Sequence, residues 1–182
     1  LKNKKIYALI NNAAIDSVPK KTKKNNHLPD TIQWKYELDV SLTGSYLMTK
    51  YFGEKIKKHK KGKILYMGSD LSIVAPNQDV YKSFGNFLKP VTYSVVKHGV
   101  LGLTRYFASL YSKFNIQVNM LSPGPIKNKH KKEFVKAVSE KIPMGRMGDL
   151  EDLDHTLLYL LNEKNNFITG QNIVVDGGRT LI

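Results

Sequence analysis

The chain reads as α/β, a parallel sheet covered by helices, on three observations. Short apolar stretches alternate with stretches of helical period along the chain, the arrangement that parallel sheets with crossover helices require. Glycine and proline stand where these stretches end, notably Gly62 and Pro123-Gly124-Pro125. The length, 182 residues, suffices for one domain with a real core and makes two independent domains improbable. The expectation is therefore a single domain over 1–182.

Taken in order, residues 6–10 form a buried strand and a polar, lysine-rich loop follows to Asp30. Asp30 can cap the next helix, with Gln33 three residues on as its partner. That helix is expected over 31–59, with Trp34, Leu38, Leu42, Tyr46 and Thr49 at helical spacing. Gly62 breaks it and residues 63–67 form the next strand. The stretch from Ser69 to Pro90 is long and mixed, and unstructured segments of such length in compact domains are commonly functional. Residues 92–113 form a helix that turns Val96, Leu103, Phe107 and Leu110 toward the core. A strand at 116–121 ends at Pro123-Gly124-Pro125. A basic helical excursion spans 127–142, a further helix 149–162, and the last strand 172–175. There is no internal repeat and no low-complexity linker.

The composition narrows the function. The formal charge is +14, which invites a nucleic-acid reading. Of the 29 basic residues, however, only Arg105, Arg146 and Arg179 are arginine, whereas bidentate phosphate and base recognition favours arginine. The lysine runs at 20–24 and 57–61 suit a loop and a helix end facing water, so no nucleic-acid partner is expected. No apolar run approaches a membrane span of roughly eighteen residues, and no secretory signal is visible. A cytoplasmic protein without a membrane partner is expected. Cysteine is absent, which rules out disulfides and thiolate chemistry. His27, His59, His130 and His155 show no ligand spacing, so no metal site is expected.

The most specific pair is Tyr93 and Lys97, four apart within the 92–113 helix. Residues at i and i+4 share a helix face, so the ammonium can lie beside the phenol and favour the phenolate. A tyrosine tuned in this way is a proton donor and acceptor for carbonyl and alcohol chemistry. The surroundings are as specific as the pair. Upstream lies Leu9-Ile10-Asn11-Asn12-Ala13-Ala14; downstream come Val118-Asn119-Met120-Leu121-Ser122-Pro123-Gly124-Pro125-Ile126 and Ile168-Thr169-Gly170-Gln171-Asn172-Ile173-Val174-Val175-Asp176-Gly177-Gly178. In this order and spacing, over nearly the whole chain, the segments resemble the short-chain dehydrogenase/reductase family.

The resemblance implies the C-terminal part of a doubly wound, Rossmann-like parallel sheet and an NAD(P)-dependent oxidoreductase that interconverts an alcohol and a ketone, with NAD or NADP as cofactor and a small molecule as substrate. It implies Ser69 as donor to the substrate oxygen, with Ser72 or a turn-capping role for Ser69 as the competing readings. Ser69 and Tyr93 stand 24 residues apart, longer than the family usually shows. Tyr93 is implied as the proton-transfer residue and Lys97 as the residue that holds the nicotinamide ribose. Ser41 stands where the family usually has an asparagine that orders a relay water; a packed small residue is the alternative. Pro123, Gly124 and Ile126 match the loop that meets the nicotinamide, with Asn128 where threonine is common. Asn12, Ala13 and Ala14 match the turn passed by the adenine side of the cofactor, although tight packing also calls for small residues there. His98, beside Lys97, falls on a different helix face from Tyr93 and reads as structural.

The glycine-rich first half that holds the pyrophosphate in the family is expected to lie outside this sequence, so that the chain alone binds a dinucleotide weakly. The Val74-to-Val91 insertion and the 168–178 run look like reductases found with flagellin and surface-sugar modification genes, which suggests a sugar or sugar-nucleotide substrate. A 3-oxoacyl-carrier-protein reductase is the nearest alternative, because a basic surface attracts an acidic carrier. A non-catalytic remnant or interaction subunit is the other. Family members often pair through the helices expected at 31–59 and 92–113, so a homo-oligomer is expected. Residues 70–90 are expected to shape the substrate pocket, with Tyr81, Phe84 and Phe87 lining it.

Overall fold

A computed structural model describes residues 5–15, 28–82 and 88–182; the lysine run at 20–24, His27, Phe84 and Phe87 lie outside the described residues. Its centre is a four-stranded sheet in the order β1 (Ala8–Asn11), β2 (Gly62–Met67), β3 (Ile116–Pro123), β4 (Asn172–Val175), parallel throughout. Parallel strands must be joined by crossovers, and these put helices on both faces of the sheet. One layer holds α1 (Thr31–Leu38), α2 (Gly44–Lys57) and α4 (Val91–Tyr111); α6 (Glu151–Leu161) covers the other face.

Side-chain alternation along the strands sorts the core into these two layers. Ile64 and Tyr66 on β2, with Ile116, Val118 and Met120 on β3, pack against Val96, Val100, Phe107 and Tyr111 of α4. Leu65 and Leu121 point the other way, to Leu160 of α6. The polar residues on that second face are paired. Lys63 is buried and donates to Gln117 Oε1 at 2.8 Å and to the Asn165 carbonyl, while burial pushes its ammonium pKa down. Asn119 donates to the Ile168 carbonyl and accepts from the Gln171 amide, which docks the segment leading into β4.

Several elements differ from the sequence expectation for local reasons. The first strand is shifted to Ala8–Asn11, although the Tyr7 carbonyl still takes the Lys63 amide. The long helix is not uniform: α1 passes through a π-helical turn at Asp39–Thr43 into α2, which stops at Lys57. Asp30 caps α1 through Oδ1 and the Gln33 amide, 2.8 Å, but the Gln33 side chain donates to Glu37 instead of completing a reciprocal box. Leu110 is 42% exposed, not part of the core. Within 127–142 only α5 (Lys132–Ser139) is helical. The mixed segment holds a 3-10 turn at Asp70–Ser72 and a short helix, α3 (Gln78–Lys82).

Two buried phenols carry a pH-dependent part of the stability. Tyr66 OH lies 2.6 Å from Thr49 Oγ1, which also accepts from Asn11 Nδ2. Burial raises the pKa of Tyr66 and, with Glu54 nearby, pushes Tyr111 up to about 12. A phenol whose folded pKa lies above its unfolded value of about 10 stabilises the fold below that pH, and the contribution is lost as pH rises through the folded value. Tyr66→Phe and Tyr111→Phe should therefore each flatten the fall of stability with pH above about 10, measured by urea unfolding followed by circular dichroism at a series of alkaline pH values.

Candidate functional site

All four strands run the same way, so the segments that leave the C-terminal ends of β1, β2 and β3 emerge along one edge of the sheet. Asn12, Ala13 and Ala14 follow β1 and are exposed. Ser69 follows β2, and Pro123, Gly124 and Ile126 end or follow β3. The main chain after β1 is tied down by Ser41, whose buried Oγ accepts from the Ile15 amide at 3.0 Å. Ser41 sits in the π-helical turn, and its own carbonyl takes the Ser45 hydroxyl. Turns of this kind are rare and frequent at functional sites.

Tyr93 and Lys97 lie in the first two turns of α4, next to the end of β2. Pro90 ends the preceding segment in extended geometry, and its carbonyl accepts from the Tyr93 amide. The start of the helix is held by a buried carboxylate: Glu37 of α1 accepts from the hydroxyl of buried Thr92. Lys97 is 6% exposed, and its ammonium donates to the Met67 carbonyl at 2.8 Å, two residues before Ser69. Its Nζ lies 5.5 Å from the centroid of the half-buried Tyr93 ring, and Lys89 Nζ lies 3.9 Å from the same centroid. The ring thus has two cations close to it. His98 faces away and bonds the Ser94 carbonyl within its own helix.

Ser69 is buried and caps the turn that follows it, accepting from the Leu71 amide at 3.2 Å; its hydroxyl donates to Asp70 Oδ1 at 2.8 Å. Ser72 donates instead to the Ser69 carbonyl and lies 3.4 Å from Ser122 Oγ. Gly68 makes this bend possible, because a Cβ there would run into Met120 and Ser122. Asp70 is itself buried and forms an ion pair with Arg179, which sits just past Gly177-Gly178, both at positive φ. Burial lowers the Arg179 pKa, and the guanidinium stays charged from so high an ordinary value.

The loop after β3 is fixed from both sides. Gly124 donates to the Val175 carbonyl, and a Cβ on it would stand 2.7 Å from Asp176 Cα. Ile126 bridges Gly148, and Arg146 grips Asp152 with two bonds of 2.6 and 2.8 Å, which holds the Asp152 carboxyl well below the usual carboxylate range. Two cavities flank Pro125. The larger, of about 260 Å³, is lined by Tyr81, Phe134 and Arg179 among others; the smaller, of about 120 Å³, includes Gly124, Ile126 and Arg146.

Sequence reasoning missed the Asp70–Arg179 pair, the Lys89 cation and the Asn11 anchor. An acidic residue directly after Ser69, and one of only three arginines after a Gly-Gly pair, were the available signals. Nothing in their spacing links residues 109 positions apart.

A family model described as enoyl-(acyl carrier protein) reductase matches residues 2–180. The 2-dehydro-3-deoxy-D-gluconate 5-dehydrogenase of Bacillus subtilis is 30% identical over 97% of this chain and 65% of its own length. A 3-oxoacyl-[acyl-carrier-protein] reductase of Buchnera aphidicola is 34% identical over 96% of this chain and 66% of its own. Among solved structures, a short-chain dehydrogenase from Leptospira borgpetersenii with bound NAD+ superposes with a TM-score of 0.86 at 30% identity, over 98% of this chain and 66% of that one. The chain belongs to the short-chain dehydrogenase/reductase family, and it spans about two thirds of the length of the curated relatives it matches.

Arg179→Met would strand the buried Asp70 carboxylate, and urea unfolding should show a loss of about 3–5 kcal/mol. Combining it with Asp70→Asn should recover most of that loss, because no uncompensated charge is then buried.

Proposed function

We propose that the protein is an NAD(P)-dependent oxidoreductase that interconverts a secondary alcohol and a ketone on a sugar or sugar-derived substrate. The observation that carries this is Lys97, buried, bound to the Met67 carbonyl and sharing a helix face with Tyr93. It brings a proton-transfer phenol and a fixed cation to the strand end from which Ser69 leaves. A nicotinamide dinucleotide supplies hydride transfer when bound. The exposed main chain and small side chains at residues 12–14 suit close approach of such a group, together with the loop from Pro123 to Ile126.

In the oxidation direction, Tyr93 takes the hydroxyl proton of the alcohol as hydride leaves its carbon; in reduction, Tyr93 returns that proton to the carbonyl oxygen. The Lys97 cation favours the phenolate between the two steps. Ser69 bonds the same substrate oxygen, for which its hydroxyl must turn from Asp70 when it acts as donor. Ser41 supports the relay through the turn after β1. The relative described as a 2-dehydro-3-deoxy-D-gluconate 5-dehydrogenase and the solved structure described as a putative gluconate dehydrogenase support a sugar-derived substrate. The relatives described as 3-oxoacyl-[acyl-carrier-protein] reductases support an acyl substrate as the second reading.

A homo-oligomer through α2 and α4 is part of the proposal. Leu47, Tyr51, Tyr106 and Leu110 are 41–65% exposed on these helices, more apolar surface than scattered single residues would give. No helix among the described residues is long and apolar enough to cross a membrane.

Turnover is tested by screening polyols, sugar acids and hydroxy acids with NAD+ and NADP+ while following nicotinamide absorbance. Tyr93→Phe should lower the rate about 10²- to 10⁴-fold with an unchanged circular dichroism spectrum. Near-normal hydride transfer by Tyr93→Phe would overturn the assignment.

A further inference from the structure

We propose that the larger cavity binds a carboxylate carried by the substrate, with Arg179 and Lys141 as its anion-binding pair. Among the described residues, the two charged side chains that line it are both cationic and no aspartate or glutamate side chain does, while Ile182, the last residue of the 182-residue chain, also borders it. Its remaining wall is largely apolar and aromatic, from Val80, Tyr81, Phe134 and Val138, with the Tyr81 and Phe134 rings 6.2 Å apart. Such a wall takes the carbon skeleton of a small molecule and the cationic edge takes its charge. At about 260 Å³ the cavity lies just below the usual range for drug-sized ligands, roughly 300–1,000 Å³, which points to a small acid.

Arg179 is built for this role. Its side chain is 12% exposed and is held in place by Asp70 through one terminal nitrogen, while a guanidinium offers five N–H donors in a rigid fork. Because Asp70 neutralises one charge at close range, the ligand meets a preoriented donor set without having to order it. Lys141, two residues past the end of α5, adds a second cationic donor. The cavity is linked to Ser69 through two side-chain contacts. Arg179 pairs with Asp70, and Asp70 takes the Ser69 hydroxyl at 2.8 Å. A carboxylate seated at Arg179 therefore lies two side-chain contacts from the serine assigned to the substrate oxygen.

The proposal rests on the oxidoreductase reading, yet the two fail separately, since acid binding needs no turnover and Tyr93→Phe reads only transfer. The test is isothermal titration of the 182-residue chain with two acids and their neutral counterparts: D-gluconate against D-glucitol, and hexanoate against hexanol. One acid is expected to bind at least about tenfold more tightly than its neutral counterpart, as charge-assisted hydrogen bonds of about 1.5–3 kcal/mol imply. A preference for gluconate identifies a sugar acid and a preference for hexanoate an acyl acid. Lys141→Met should remove most of the preference and leave the neutral compounds unaffected. Arg179→Lys keeps a cation against Asp70, so the fold is retained, and should weaken acid binding by loss of the planar fork. Equal binding of acid and neutral compound, no binding of either acid, or a preference that survives both substitutions would overturn the proposal.

Discussion

Parallel pairing of β2 with β3, from Gly62 opposite Ile116 to Met67 opposite Leu121, is the constraint on which everything else hangs. A parallel sheet leaves both faces apolar and needs a crossover for each pair of strands. The helices that make those crossovers are the same ones that bury the faces. Because every strand runs in one direction, the chain leaves the sheet repeatedly at one edge. There short polar segments, unable to pair in the sheet, are free to carry chemistry.

At that edge, polar groups are drawn into the protein and each is matched with a partner. Lys97 finds the Met67 carbonyl, Thr92 finds Glu37, and Asp70 finds both Ser69 and Arg179. Burying any of these groups unpaired would cost more than the pairing gains. The result is a site whose side chains have few alternative positions. Arg179 links residues that follow β4 to the turn after β2, so this segment is part of the site's support.

Much of this architecture was legible in the residues. The apolar strands at 63–67 and 172–175 and the helix bearing Tyr93 emerged nearly to the residue, because a buried parallel strand is a short apolar run and α4 has a long apolar period with Pro90 before it. The expectation for Leu110 failed for a local reason. Its position has helical period with Phe107, but the buried stripe of α4 runs through Val100, Thr104, Phe107 and Tyr111, and Leu110 lies off it. The π-helical turn at Ser41 was equally invisible, since one residue inserted into a helical turn leaves no compositional mark.

The sequence by itself determined the class of fold, the pairing of Tyr93 with Lys97 on one helix face and the small residues at the strand ends. These follow from local rules, the period of the backbone and the room a side chain leaves. Only the tertiary structure decided that Lys97 is buried against Met67, that Glu37 takes the Thr92 hydroxyl, and that Asp70 meets Arg179. Those contacts join segments far apart in the chain, and their partners are chosen by which strand lies beside which, a property of the packed sheet that no spacing along one strand encodes.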